Sequence, residues 1–256
     1  MPGIGMADWE RRLGRSPAPS TFDGEEIAGL PEPVQRHLTA AIRSGSALTT
    51  AVWLKMRGRI RVGRWLPFRA RQVLSPHEGF LWAARAAGLI AGSDRYLDGV
   101  GAMHWKAAGL ITVARGAGPD VSRSAAGRCG AEAAWVPTAL LPRFGVTWSA
   151  ADHCHITARY TLGETPVDLN YTLESDGRIR SLVFDRWGDP DNSGTFGWHP
   201  FGGQITGYRT FAGLTIPSTG SMGWLFGTDR WPEGEFFRFQ ITQLRPLNPR
   251  PAASSG

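Results

Sequence analysis

The 256 residues suit one large domain or two small ones and are enough to bury a sizeable core. With 42% hydrophobic and 20% charged residues, the composition is that of a globular protein and excludes a disordered one. The formal net charge is +6, but the basic residues form no run of five or more, so the sequence predicts no nucleic-acid partner.

Cysteine usage and apolar segments bear on the location of the protein. Cys129 and Cys154 show no pairing signature, and the N-terminal segment lacks the apolar stretch of a secretory signal. No stretch reaches the apolar length of a membrane span. We therefore expect a cytoplasmic protein without integral membrane association.

Both ends of the chain have the composition of tails. Residues 1–23 are rich in Pro, Gly, Arg and Ser, and residues 246–256 are rich in Pro and Ser. We expect both segments to be disordered. Because residues 24–245 contain no internal repeat and no linker, they are expected to form a single domain.

The first half of the chain begins with a helix and continues with strands. The helix is predicted from about Glu25 to Ser44, with prolines near its first turn. From Leu48 to Val62 the even positions are apolar and the odd positions carry Trp53 and four cations, a pattern typical of a half-buried strand. Further strands of an antiparallel meander begin at Trp65, Gly79 and Gly88.

A second helix precedes the strands of the second half. It is predicted from about Pro119 to Trp135, where Gly127 and Gly130 weaken the helix or allow close packing. Beyond it, Asp176-Gly177 is the clearest hairpin turn. About ten strands must close or curl to protect their edges. The predicted fold class is therefore mainly β (α+β), a curled antiparallel sheet or unclosed β-barrel wrapped around one or two helices.

Three blocks carry a resemblance to a known family: GWLFGTDRWPEGEFFRFQI (223–241), AEAAWVPTALLP (131–142) and DRWGDP (185–190). With them, roughly residues 30–244 resemble an uncharacterised bacterial domain family of unknown function, which implies kinship but no particular activity. The strand pattern is also similar to the lipoprotein-carrier type, an unclosed barrel around helices with an apolar hollow. Proteins of that type are periplasmic, and fold alone does not give function.

The aromatic residues predict a cavity. Branched aliphatic residues usually fill the core of a sheet, whereas the chain has eleven Trp and twelve Phe, and a buried indole N–H needs a partner. A roomy interior that holds an apolar ligand suits them better than a tightly packed core, which is the alternative. The expected lining residues are Trp53, Trp82, Trp105, Trp135, Trp187, Trp198, Tyr208, Trp224 and Phe226.

Residues 223–241 are predicted to form a hairpin with its turn at Pro232-Glu233-Gly234. Trp224 and Phe226 share one face of the first strand. On the return strand, Phe237 shares a face with Phe239, and Phe236 lies on the opposite side.

Ionisable residues within the aromatic segments are candidates for acid–base catalysis, because apolar surroundings shift pKa values. The candidate catalytic residues are Glu132, Lys106, Asp185 and His104. Structural roles are the alternative: Glu132 can pair with Arg128 on one helix face, and Asp185 with an arginine of the next strand. Lys106 can lay its stem over Trp105.

Metal and cofactor motifs are weak. In DHCH, Asp152 to His155, two histidines on one strand face could reach one ion, but no third ligand stands at a suitable spacing, so no metal site is predicted. The chain contains no Gly-x-Ser-x-Gly, no GxGxxG that opens a helix and no GxxxxGK[ST]. We therefore expect no cofactor.

Two functions follow for a hydrophobic small-molecule partner. The favoured one is a cofactor-independent cyclase or isomerase that folds a polyketide or terpenoid-like intermediate between aromatic walls, with acid–base assistance. The alternative is a non-catalytic carrier or sensor of a lipid or similar ligand. The two differ in whether acid–base side chains converge inside the cavity.

Overall fold

The computed structural model describes residues 5–14, 20–191 and 193–247. In this part of the chain thirteen strands form one antiparallel sheet. The strands are β1 (Val52–Val62), β2 (Arg64–Ser75), β3 (Gly79–Ala86), β4 (Ile90–Leu97), β5 (Val100–Ala107), β6 (Ile111–Ala117), β7 (Thr147–Ala150), β8 (His155–Leu162), β9 (Thr165–Leu173), β10 (Ile179–Gly188), β11 (Gly197–Phe211), β12 (Leu214–Trp224) and β13 (Glu235–Pro246).

Four α-helices and four short 3₁₀ helices accompany the sheet. The α-helices are α1 (Met6–Leu13), α2 (Glu32–Ala41), α3 (Pro119–Ala131) and α4 (Trp231–Gly234). The 3₁₀ helices are Gly24–Ile27, Glu132–Trp135, Pro137–Leu140 and Pro142–Phe144.

The sheet consists of two meanders joined by one long-range pairing. Its strand order is β6-β5-β4-β3-β2-β1-β13-β12-β11-β10-β9-β8-β7, so only β1 and β13 are neighbours without being consecutive. The end strands β6 and β7 do not pair with each other, and α3 contacts β4, β5 and β6 as well as β9 and β10. The predicted class, an unclosed curled sheet around a helix, is therefore confirmed.

The strand count is higher than predicted because β5 and β6 are not evident in the sequence. A strand is recognised by one buried face, but β6 is an edge strand in which most side chains are exposed on both faces. The turn before β5, Asp98-Gly99, has positive φ at both residues, as a two-residue hairpin turn requires. Asp176-Gly177, between β9 and β10, is a turn as predicted, with φ +84° at Gly177.

The predicted helix 25–44 is shorter in the structure and is split. A 3₁₀ turn over Gly24–Ile27 is followed by a break, and α2 begins at Glu32 after Pro31. A proline disfavours helical backbone at the preceding residue and has no N–H for the helix, so the chain cannot continue as one helix through Pro31. The helix predicted for 119–135 is confirmed as α3 together with the adjoining 3₁₀ turn Glu132–Trp135.

The prediction of disordered tails is wrong for residues 6–13 and for the end of β13. Residues 6–13 form α1, whose Trp9 and Leu13 are buried against Val73 and Leu81 on the outer face of the sheet. Trp9 and Leu13 are four residues apart and so lie on one helix face, a pattern that the Pro- and Arg-rich composition obscures. At the other end, Leu247 is buried, and residues 248–256 lie outside the described residues.

The main core lies on the inner face of the sheet, where α2 and α3 pack. In β1 the even residues Val52, Leu54 and Met56 are buried there, as the alternation predicts. Both cysteines are free thiols. None of the helices in the described ranges has the length and apolar character needed to cross a bilayer. The cytoplasmic location stays a prediction.

Candidate functional site

A cavity of about 230 Å³ opens within the inner face of the curled sheet. Strands of both meanders line it, together with α3 and the 3₁₀ turn that follows. Most of its wall is aromatic, and the aromatic residues are Trp82, Trp135, Phe184, Phe201, Trp224, Phe236, Phe237 and Phe239. Four ionisable side chains also line it: Asp94, Arg128, Glu132 and Arg186.

The aromatic wall is held together by ring contacts between strands, and between a strand and the 3₁₀ turn Glu132–Trp135. The Trp224 ring meets Phe201 edge-on at a centroid distance of 5.0 Å, and Phe239 meets Trp135 edge-on at 5.5 Å. These are preferred geometries for aromatic pairs, and each ring has few rotatable bonds. The wall is therefore a preformed apolar surface.

A β-bulge between β12 and β13 places two successive phenylalanines on the cavity. Met222 pairs with Phe237, but the next residue, Gly223, pairs with Glu235, so Phe236 is an extra residue in β13. The strict alternation that predicts Phe236 on the opposite side of the strand fails here because a bulge resets the period. Phe236 and Phe237 both line the cavity.

At one end of the cavity, Arg128 of α3 is enclosed by two carboxylates. Its Nε donates to Glu132 Oε1 at 2.9 Å, and its Nη1 donates to Asp94 Oδ2 at 2.8 Å. Burial alone would lower the pKa of Arg128, but the two carboxylates outweigh it and raise that pKa. The remaining carboxylate oxygens accept from Gln72 Nε2 and from Trp105 Nε1. All four carboxylate oxygens of Asp94 and Glu132 therefore accept a hydrogen bond.

Arg186 of β10 has a different environment. Its guanidinium carbon lies 4.6 Å from the ring centroid of Phe201 and 4.9 Å from that of Trp224. Its Nε donates to the backbone oxygen of Ser124 in α3 at 3.3 Å. Burial, and then repulsion from Arg128, lower the pKa of Arg186 to about 9. Arg186 is thus a cation among aromatic rings.

Three of the nine predicted ligand-binding residues line the cavity: Trp82, Trp135 and Trp224. Trp105 lies behind the wall, 5.6 Å from Trp82 between ring centroids. The prediction for Trp82, Trp135 and Trp224 therefore agrees with the geometry.

The other five predicted ligand-binding residues lie elsewhere. Trp53 is on the outer face beside α1, because odd positions of β1 face outward. Trp187 donates to Asp120 and contacts Trp198, which is 48% exposed. Tyr208 donates to the backbone oxygen of Ile179. Phe226 lies beyond the end of β12 and packs on Trp231.

Of the four predicted catalytic residues, only Glu132 lines the cavity. Its alternative role, pairing with Arg128, is confirmed by the 2.9 Å ion pair. His104 is exposed in β5, and Lys106 of the same strand is half-buried and outside the cavity wall. Asp185 is exposed, because the alternation of β10 points it away from the cavity. The four side chains do not converge on one site.

Arg186 is a cavity-lining residue that is absent from the sequence-based candidates. Its signal was present, because Leu182, Phe184 and Arg186 occupy alternate positions of β10 and therefore share the inner face. Residue type favours Asp185 as the acid–base group, whereas the strand period places its neighbour Arg186 on the inner face. Asp94 gave no comparable signal, since its position depends on the pairing of β4 with β5.

The DHCH segment forms a small exposed cluster away from the cavity. Asp152, His153 and Cys154 bring one potential ligand atom each within 4.8 Å of one another. His155, the second histidine of the segment, contacts Asp152, with its Nδ1 2.8 Å from Oδ2. Hydrogen bonds from His155 and from the Cys154 backbone lower the pKa of Asp152. The carboxylate is thus engaged by its own loop.

A larger opening, of about 780 Å³, lies at the surface beside α1. Its walls include Asp8, Arg11, Arg12 and Asp98, which form ion pairs with one another. Ligand pockets are mostly apolar with a few convergent polar groups. The smaller aromatic cavity fits that description and is the candidate site.

Two solved structures are similar to the chain, each at a TM-score of 0.45 and 9% identity. One is a domain assigned as an outer membrane lipoprotein-sorting protein from Vibrio parahaemolyticus, and the similarity covers 90% of this chain and 96% of that one. The other is a LolA superfamily protein from Nitrosomonas europaea, with 86% and 93% covered.

No curated protein matches the sequence. The sequence profile of a family of unknown function, DUF6544, matches residues 20–236. Since this range includes most of the sequence, the chain belongs to the DUF6544 family.

Proposed function

We propose that the protein binds a hydrophobic small molecule in the aromatic cavity without chemical conversion, as a carrier or sensor. The observation that carries the proposal is the preformed cavity of about 230 Å³ with eight aromatic side chains in its wall. Transfer of apolar ligand surface from water to such a wall is favourable by roughly 25 cal/mol per Å². Rigid rings also lose little conformational freedom when the ligand binds.

A second candidate is the cofactor-independent cyclase or isomerase of a polyketide or terpenoid-like intermediate. Glu132 favours it, because this carboxylate lines the cavity. Against it, both Glu132 oxygens already accept hydrogen bonds, from Arg128 and from Gln72. His104, Lys106 and Asp185 are not in the cavity wall. The placement of these groups therefore favours binding over catalysis.

The binding proposal is tested with the neutral fluorophore N-phenyl-1-naphthylamine, which is bright only in apolar surroundings. We expect the wild-type protein to bind it, and Ala134→Phe to abolish binding because Ala134 lines the cavity and a phenyl ring would fill it. The matched control is Ala117→Phe, the same substitution at an exposed position of β6. Fluorescence titration measures the affinity.

If Ala134→Phe and Ala117→Phe bind the fluorophore equally well, the ligand does not occupy the cavity and the proposal fails. The enzyme candidate has a separate readout. An apolar compound extracted from the purified protein is incubated with wild type and with Glu132→Gln and separated by chromatography. Conversion by the wild type alone would favour catalysis, whereas no conversion by either supports a carrier or sensor.

A further inference from the structure

We propose that the ligand of the cavity is an anionic amphiphile, a single apolar chain with one carboxylate, and that Arg186 binds the carboxylate. This inference rests on the proposed function and adds the chemical class of the ligand. It starts from the side chains that line the cavity and from the partners that each of them has.

The guanidinium of Arg186, in the cavity wall, has donors without an acceptor in the described part of the chain. Its Nε donates to Ser124, but neither Nη nitrogen has a hydrogen-bond acceptor within the described ranges. Arg186 also has no ion pair there and lines the cavity. Arg186 is half-buried, and its guanidinium is held over two aromatic rings with no acceptor among the described residues for either Nη nitrogen, which leaves these donors for an anionic group of a ligand. The planar fork of an arginine matches a carboxylate with two parallel hydrogen bonds.

The carboxylates of the protein cannot supply that acceptor. Asp94 and Glu132 line the same cavity, but Arg128 binds both at hydrogen-bond distance. Their remaining oxygens are taken by Trp105 and Gln72. Asp94 and Glu132 therefore neutralise Arg128 directly and act on Arg186 only from a distance. One of the two guanidiniums is left for an external anion.

The unpaired charge of Arg186 and the volume of the cavity indicate the class of ligand. One spare guanidinium matches one negative charge, which a carboxylate carries at neutral pH, whereas a phosphate monoester carries closer to two. The cavity of about 230 Å³ is below the usual size of drug-sized pockets and suits one chain of medium length. The guanidinium lies over the rings of Phe201 and Trp224, and the rings of Phe237 and Phe239 offer an apolar wall for the chain.

The experiment compares decanoate with decan-1-ol, which have the same chain but differ in charge. Binding to the purified full-length protein is measured by isothermal titration calorimetry at neutral pH. We expect the wild type to bind decanoate at least roughly tenfold more tightly than decan-1-ol, because charge-assisted hydrogen bonds are stronger than neutral ones. In Arg186→Met we expect that preference to disappear while decan-1-ol binding is retained.

The matched control is Arg180→Met, the same substitution at an exposed position of the same strand. It should keep the wild-type preference for decanoate. If Arg186→Met does not fold, Arg186→Gln, which keeps polar donors but not the charge, provides the same comparison.

Equal binding of the two ligands by the wild type would overturn the inference while leaving hydrophobic binding intact. Equal loss of both ligands in the Arg186 variant would also overturn it, since Arg186 would then serve only to shape the cavity. If the wild type bound neither ligand nor the neutral fluorophore, the proposed function itself would fail.

Discussion

Arg186 keeps its charge inside the protein at a cost to folding. Its pKa is lowered to about 9, so the protonated form is less stable in the folded protein than in the unfolded chain throughout the neutral pH range. We expect Arg186→Met to increase the free energy of unfolding of the ligand-free protein by roughly 1–2 kcal/mol, because a half-buried cation without a paired anion is replaced by an apolar side chain.

Thermal unfolding at neutral pH, without ligand, measures this effect. Arg180→Met serves again as the exposed control and should leave the melting temperature nearly unchanged. A lower melting temperature for Arg186→Met would mean that the guanidinium stabilises the fold, and that its role is structural.

His37 makes the stability of the protein depend on pH. This α2 residue is buried, and its Nδ1 donates to the backbone oxygen of Gly177 at 2.9 Å. Burial outweighs that hydrogen bond and lowers the pKa of His37 from 6.5 to about 4. Between these values the unfolded chain binds a proton that the folded protein does not, so stability is full above pH 6.5 and falls as the pH approaches 4.

The pKa difference corresponds to a loss of roughly 3 kcal/mol from His37 alone. Chemical denaturation of the wild type, of His37→Gln and of the exposed control His104→Gln, at several pH values from 7 to 4, measures it. We expect the free energy of unfolding to depend less steeply on pH in His37→Gln than in the wild type. If the free energies of unfolding of the wild type and of His37→Gln changed with pH in parallel, His37 would not be the source of the pH dependence.

Single residues of the cavity show which parts of the candidate site can be predicted from the sequence and which cannot. Trp82 and Trp224 lie in the cavity wall, where the sequence places them, because a large apolar side chain on the inner face of a strand is buried in the interior of the sheet. Asp94 and Arg128 meet only because α3 lies across β4, a tertiary contact with no local signal. Pairing of this kind, between residues far apart in sequence, is what the sequence alone does not reveal.

Among the elements, α3 depends on two glycines with opposite requirements. A Cβ at Gly130 would lie 2.6 Å from Val167 Cγ2 of β9, so the helix touches the sheet there. A Cβ at Gly127 would meet its nearest atoms at 3.8 Å, an ordinary contact. We expect Gly130→Ala to destabilise the protein by roughly 1–3 kcal/mol through overpacking, and Gly127→Ala to stabilise it by up to about 1 kcal/mol.

The two alanine variants control for each other, because both raise the helix propensity of α3 by the same amount. Denaturant unfolding of both compares them directly. If both variants stabilised the protein, the close approach of α3 to β9 would not limit its packing. The sequence leaves open whether each glycine weakens the helix or allows close packing. The two variants decide between these alternatives for each glycine separately.

Elements also show why alternation predicts most strands but misplaces some side chains. The even residues of β1 are buried over its first half, as expected for a strand with one solvent-exposed face and one buried face. Edge strand β6 has no such face, and the bulge opposite Gly223 reverses the alternation before Phe237. Prediction from the sequence therefore fails at edge strands and at bulges, because the two-residue alternation no longer indicates there which side chains are buried.

At the scale of the whole molecule, the strand order determines when the cavity comes into existence during folding. The strands of each meander, β1–β6 and β7–β13, pair with their neighbours in sequence, so hairpins can form early and locally. The β1–β13 pairing closes a loop of nearly two hundred residues, from Val52↔Pro246 to Ile60↔Phe237, and carries the corresponding entropic cost.

The cavity draws on both meanders. Ile60 and Trp82 come from the first, and Arg186 and Trp224 come from the second. Before β1 pairs with β13, each meander contributes only part of the cavity wall, so the partly folded chain has no complete cavity. A bound ligand thus acts on the last step of assembly: it holds together the beginning and the end of the sheet and slows their separation.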